Sequence, residues 1–288
     1  MNNIKENNEK NEKKLNKKVI YIILIILAIL SIIFGIVKYF SYSVKKDTDD
    51  AKEYISDNLI NENNKFEIVE INTSNGTNKK QEEIVECSLL LQSERIDKVK
   101  EYQKTNSDIV GWLEIPNTNI SYPVVQGKDN SYYMRRNFKK RYTINGSLFL
   151  DKDFKWNPNS SNLLIYGHNN RGTNEMFVEL LKYKDESFYK EHPIIRFTTN
   201  EEDAIYEIIS VFKSRVYYKR ETEVFRYYYF VNAENEEEYN YFVEESKKAS
   251  LYDIDATAEY GDQLITLSTC EYSEKDGRFV VVGRKIDN

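Results

Sequence analysis

"LITLSTCEYSEKDGRFVVVGRKI", residues 264–286, decides the fold. Two apolar, β-branched runs flank a short polar loop, the pattern of two buried strands joined hairpin-fashion. Cys270 ends the first run and Arg278 opens the second, eight residues later. In an antiparallel pair those two positions can lie side by side at the same end of the sheet. The question is why a thiol and a guanidinium should share a strand tip.

Outward from this pair, the chain from Asp108 onward reads as short β-rich runs separated by turn residues. They are "IVGWLEI", "NISYPVV", "GSLFLD", "NLLIYGH", "IIRFTT", "AIYEIISVFKSRV", "VFRYYYFV", "QLITLST" and "RFVVVGRKI". Several are apolar throughout, as expected of strands buried on both sides or closed into a barrel. Two helical insertions interrupt them, around "NEMFVELLKY" and through "NAENEEEYNYFVEESKKAS". The expected fold is mainly β, a barrel of eight or nine strands with helical decorations. No internal repeat is visible.

Further upstream, "SERIDKVKEYQKTNSDIVGW" predicts a helix ending near Asn106, and "INTSNGTNKKQEE" reads as a linker or loop. Cys87, in "IVECSLLL", is expected as a small apolar filler. Residues 19–37, "VIYIILIILAILSIIFGIV", carry no charge. About 20 such residues cross a bilayer core as a helix. The run exceeds a signal-peptide core of about 7–15 residues, and no small-x-small cleavage site follows it. Lysines at 10, 13, 14, 17 and 18 precede it, against 38, 45 and 46 beyond it, which favours the N-terminus inside. The expected organisation is a basic cytoplasmic tail (1–18), a signal anchor (19–37), an extracellular stalk (38–90) and a catalytic domain (91–288).

The net charge of −6 argues against nucleic acid as the main partner, because phosphate neutralisation needs a basic face. Two cysteines cannot make a disulfide framework, although one bridge is possible. With two histidines and no Cys/His cluster, neither a metal site nor a cofactor is expected.

A free thiol has a pKa of about 8.5 and needs a nearby base or positive charge to act as a nucleophile. Cys270 follows a buried run and adjoins polar "EYSEKDG", which exposes it in part; the alternative is an inert buried cysteine. His168 ends the apolar run "NLLIYGH" and is followed by a polar loop, whereas His192 precedes a proline turn in "KEHPI". Arg278 could hold a developing oxyanion; Arg284 is expected as a surface strand arginine. Cysteine, histidine and arginine on three strand ends make a constellation for attack on an amide through a thioester.

Taken together, "TLSTC", "GRFVVVGR", "NLLIYGHN" and "DIVGWLEIPNTNISYPVVQGKDNSYYMRRNF…GSLFLD" resemble the sortases, membrane-anchored transpeptidases of Gram-positive bacteria. The resemblance spans about residues 91–286 and is greatest to class B, with a helix before the first strand and an acidic helical insertion before "TLSTC". Pilus-building class C members typically add a C-terminal hydrophobic anchor and an N-terminal lid. The terminal "GRKIDN" sets an expectation against that class. The resemblance implies a closed, twisted, roughly eight-stranded barrel. It also implies that Cys270 is the nucleophile, His168 the acid and base, and Arg278 the residue that positions substrate and steadies the oxyanion. Ser268, Glu271, Asn130, Met134 and Tyr166 are implied as substrate-binding positions. The implied partners are secreted proteins bearing a C-terminal sorting motif and an amine of the peptidoglycan precursor or cross-bridge. A hydrolytic surface cysteine protease, a pilin-polymerising sortase, and a receptor using Tyr-rich "VYYKRETEVFRYYYF" as a contact face are the competing readings.

Overall fold

The structure, a computed structural model, describes residues 77–286 except 159 and 171. The tail, the apolar run 19–37 and most of the stalk therefore lie outside the described residues. Among the described residues no helix is long and apolar enough to cross a membrane.

Eight strands follow in chain order: β1 (Ile109–Glu114), β2 (Ser121–Gln126), β3 (Leu148–Leu150), β4 (Asn162–Gly167), β5 (Ile194–Thr198), β6 (Asp203–Arg215), β7 (Leu264–Cys270) and β8 (Gly277–Ile286). They close into a barrel in the order β1-β2-β3-β4-β7-β8-β6-β5. The pairs β2/β3 and β4/β7 are parallel and the rest antiparallel. A parallel neighbour requires a crossover rather than a tight turn. The crossover from β4 to β7 accordingly contains β5, β6 and the two shorter α-helices.

Three α-helices accompany the described barrel: α1 (Thr77–Thr105), α2 (Glu186–Glu191) and α3 (Glu236–Lys248). α1 begins inside the polar stretch read as linker and reaches the expected end at Asn106. Its Val99 is buried, and Tyr102 packs its ring against Trp112 and Phe138 at 5.1 and 5.8 Å. α3 forms where "NEEEYNYFVEESKK" predicts a helix. Asn235 caps it by accepting from the Glu238 amide, acids occupy its first turn and lysines its last, each favourable to the helix dipole. Tyr239, Phe242, Val243 and Ser246 fall on one face at helical spacing and are the residues it buries. The "NEMFVELLKY" insertion forms a 3₁₀ turn, Glu179–Lys184, which leads into α2.

One expected strand does not form. "VFRYYYFV" folds as an irregular segment with a 3₁₀ turn at Tyr227–Tyr229. In a closed barrel every strand already has two neighbours, so no edge is left for a ninth. Tyr227 is instead buried and Tyr229 is 73% exposed.

Candidate active site

β7 is buried at every position except its last, Cys270, which is half-buried. It lies between β4 and β8, and the two ladders set the site. In the parallel ladder Gly167 pairs with Thr269, so the next residue on each strand, His168 and Cys270, emerges at adjoining tips. In the antiparallel ladder Cys270 pairs directly with Arg278. Neighbouring strands are about 4.8 Å apart. Three consecutive strands thus carry histidine, cysteine and arginine at one end of the barrel.

Two glycines make these tips possible. A Cβ on Gly167 would come within 2.4 Å of both Leu148 and Phe177, and one on Gly277 within 2.4 Å of the Glu271 carbonyl oxygen. Gly277 thereby lets the loop close tightly, with Glu271 N–H donating to Gly277 O at 2.9 Å. Side chains extend the β4/β7 pairing past the last ladder residues. Thr269 Oγ1 donates to Gly167 O at 2.8 Å, Asn169 Nδ2 to Cys270 O at 2.9 Å, and Tyr272 Oη to Asn169 O at 2.7 Å. Asn169 and Tyr272 form a reciprocal clamp between the histidine and cysteine loops.

All three residues open into a pocket of about 270 Å³. Asn130, Met134, Tyr166 and Ser268 line the same pocket, together with Phe149, Val216, Tyr227 and Tyr228. Tyr166 and Ser268 are register partners, two residues before His168 and Cys270, so period-two alternation sends all four side chains to one face. Asn130 and Tyr166 both donate to buried Asp151, at 2.8 and 3.0 Å. Tyr227 Oη and Ser268 Oγ are 2.8 Å apart and share a hydrogen bond.

Glu271 departs from the expectation. It is one residue past Cys270, which directs its side chain to the opposite face, and it does not line the pocket. Its carboxylate instead accepts from Lys184 at 2.7 Å and from Ser273. Burial pushes its pKa up, but these hydrogen bonds outweigh that effect and hold it at about 2.

His168 Nε2 lies 2.7 Å from the Met134 carbonyl oxygen. A carbonyl only accepts, so Nε2 carries the hydrogen and the neutral ring keeps its lone pair on Nδ1. Burial lowers the His168 pKa below 6.5; the bond to Met134 opposes this and the Arg135 charge adds to it. Arg278 Nη1 donates to the carbonyls of Asp276 and Gly277 at 3.2 and 2.9 Å. Among the described residues it has no carboxylate partner.

Tyr227, Tyr228, Asn169 and Tyr272 were not singled out from sequence as site residues. The three-tyrosine run gave no sign of which ring turns inward. Asn169 had only its place after His168 to mark it.

A closed mixed barrel with a thiol, an imidazole and a guanidinium at adjoining strand tips, above a largely apolar pocket, is an arrangement suited to cysteine-based acyl transfer. Comparison with known proteins agrees. A Sortase domain model matches residues 113–229. Sortase B of Staphylococcus aureus is 35% identical over 186 residues, 64% of this chain and 72% of that one. Sortase B of Listeria monocytogenes is 36% identical over 197 residues, 66% of this chain and 74% of that one. The solved Staphylococcus aureus sortase B–substrate complex superposes with a TM-score of 0.58 at 33% identity, covering 66% of this chain and 85% of that chain. The chain belongs to the sortase family, and its similarity is to class B members.

Proposed function

We propose that this protein cleaves a C-terminal sorting motif of secreted proteins and joins the new carboxyl end to an amine of cell-wall peptidoglycan. The observation that carries the reading is the register, which pairs Cys270 with Arg278 and brings it level with His168 over one pocket. The Cys270 thiol passes its proton to His168 Nδ1, the thiolate attacks the scissile carbonyl, and the Arg278 guanidinium meets the negative charge that develops on its oxygen. His168 hands a proton to the departing amine, leaving a thioester on Cys270. The acceptor amine then attacks the thioester, and His168 takes its proton at Nδ1 and passes it to the departing Cys270 sulfur, which leaves as the thiol. Asn130, Met134, Tyr166 and Ser268 hold the motif; their mixture of one apolar, two hydroxyl and one amide side chain suits a short peptide. Burial keeps His168 largely neutral at neutral pH.

Residues 19–37 serve as the membrane anchor, with the N-terminus inside and the barrel outside the cell, where motif and peptidoglycan meet. A hydrolytic protease with the same residues is not favoured, because the relatives are transpeptidases of the sortase family.

The test is to incubate the full chain in detergent with a library of sorting-motif peptides, with and without an amine acceptor. Cleavage through a thioester adduct visible by intact mass, absent in Cys270→Ala, and an acceptor-joined product are expected. Cleavage with water as the only acceptor, whatever amine is supplied, would overturn the transpeptidase reading.

A further inference from the structure

The segment joining β2 to β3 differs in charge from the rest of the molecule. Residues 128–145 contain six cations, Lys128, Arg135, Arg136, Lys139, Lys140 and Arg141, and a single acid, Asp129, in a chain whose net charge is −6. The segment has a built conformation. Arg136 bridges to Tyr142 across a turn, Asn137 N–H donates to Arg141 O at 2.8 Å, and Asn137 Oδ1 accepts from the amides of Lys139 and Arg141. Phe138 is buried in the turn, while Lys140 and Arg141 are exposed and Lys139 is half-buried. Lys140 also pairs with Asp108 at 3.0 Å, and by sequence the segment's cations outnumber Asp129 and Asp108 together.

Beside these cations, Tyr142 is 68% and Ile144 58% exposed. A solvated charged face does not require a large aliphatic and an aromatic side chain facing water. Cations interleaved with exposed Tyr and Ile are the combination that suits a phospholipid interface, where rings and alkyl groups enter the headgroup layer and cations meet phosphate. The lobe also adjoins the active site, since Met134, at its start, supplies the carbonyl that holds His168.

We propose that this lobe docks on anionic phospholipid headgroups and so fixes the pocket mouth close to the membrane surface. A lipid surface is favoured over a soluble acidic partner because the exposed Tyr142 and Ile144 accompany the charge. The inference also rests on the proposed anchor at 19–37, which keeps the barrel within reach of a bilayer.

The full chain is reconstituted into lipid nanodiscs of phosphatidylcholine alone, or of phosphatidylcholine with phosphatidylglycerol, as an Ile144→Trp variant. Bromine-labelled lipid is the quencher and the unsubstituted chain supplies the Trp112 and Trp156 background. Expected is strong quenching of the new tryptophan in anionic discs. It should fall several-fold in neutral discs, in high salt, and when Lys139, Lys140 and Arg141 are all changed to Gln. Cleavage of a soluble motif peptide by that triple variant in detergent should be unchanged, which shows that it folds. Chain present in the discs with equal quenching in both lipids, or none in either, overturns the docking and leaves the anchor standing. Loss of quenching to soluble polyglutamate, with excess anionic lipid present, assigns the lobe to an acidic peptide and also overturns it. A chain that does not enter the discs at all overturns the anchor, and the docking with it.

Discussion

Strand β8 carries two arginines six residues apart, Arg278 at one end and Arg284 near the other. Period-two alternation places both on the same face, yet their surroundings are opposite. Arg284 forms an ion pair with Glu207 across the β6 ladder and lies 3.8 Å from Asp262. Among the described residues the hydrogen bonds of Arg278 go to backbone carbonyls, and it opens into the pocket. A guanidinium already matched by carboxylates has little left to offer a reaction. One whose partners are neutral keeps its field for charge that appears later, in a transition state. Asp203 extends the contrast. It is 2% exposed and accepts from Arg95 and Arg196, both at 2.7 Å, and from Thr198 at 2.6 Å. That corner ties α1 to the barrel; the tip with Cys270 keeps its charge uncommitted.

The sharpest way to break this comparison is to neutralise each arginine. Arg278→Gln is expected to lower kcat by about 10²–10³-fold, the cost of removing one oxyanion donor, with a thermal midpoint close to that of the parent. Arg284→Gln is expected to do the reverse, leaving kcat intact and lowering the midpoint slightly, since its ion pair is partly exposed. Steady-state kinetics and melting curves on the same preparations decide it. Equal kinetic losses in the two variants would remove the distinction.

Asp203→Ala addresses the other side of the contrast. It leaves two partly buried guanidiniums without their shared carboxylate, and the expected loss is about 3 kcal/mol of stability. Below its lowered midpoint the variant should keep its kcat, because Asp203 is not among the pocket-lining residues. Denaturant unfolding measures the first and kinetics the second.

Asn169→Ala tests the clamp at the site end. The substitution removes the donor to the Cys270 carbonyl and leaves buried polar groups short of a partner, a loss of about 1–3 kcal/mol. If the clamp sets how Cys270 faces His168, kcat falls about tenfold while KM stays within about twofold. Tyr272→Phe should give the same split on a smaller scale. A rise in KM alone would mean that the clamp shapes the peptide groove rather than the reacting pair.

The three strand tips of the candidate site were legible in the sequence because each borders an apolar run: "NLLIYGH" at His168, "QLITLST" just before Cys270, and Arg278 opening "RFVVVGRKI". Strand number and α3 followed from the same periodicity. What could not be read was anything that depends on which neighbour a residue meets after closure. "VFRYYYFV" has full strand character, yet a closed barrel has no edge to accept it. Glu271 adjoins the cysteine in sequence, but alternation turns it away toward Lys184, a residue 87 positions distant. The Asn169–Tyr272 clamp joins residues 103 apart.

The smallest expected effect separates two ionisable groups at this tip by the pH window in which each matters. Glu271 has a folded pKa of about 2 against an ordinary value of 4.5. Between these values the unfolded chain binds more protons, so the Glu271 contribution is full above pH 4.5 and is lost as pH falls toward 2. His168 is also depressed in the folded state, from 6.5, because burial disfavours the imidazolium. Its contribution is full above pH 6.5 and starts to decline on acidification below it, in a window that opens higher than that of Glu271. Glu271→Gln should therefore flatten the stability profile below pH 4.5 and leave the pH 5–6.5 region unchanged. His168→Gln should flatten the upper region while leaving the acid limb. Unfolding free energies measured across both windows test the pair. If Glu271→Gln instead shifted the acid limb of kcat/KM, the carboxylate would be acting on the reaction despite facing away from the pocket.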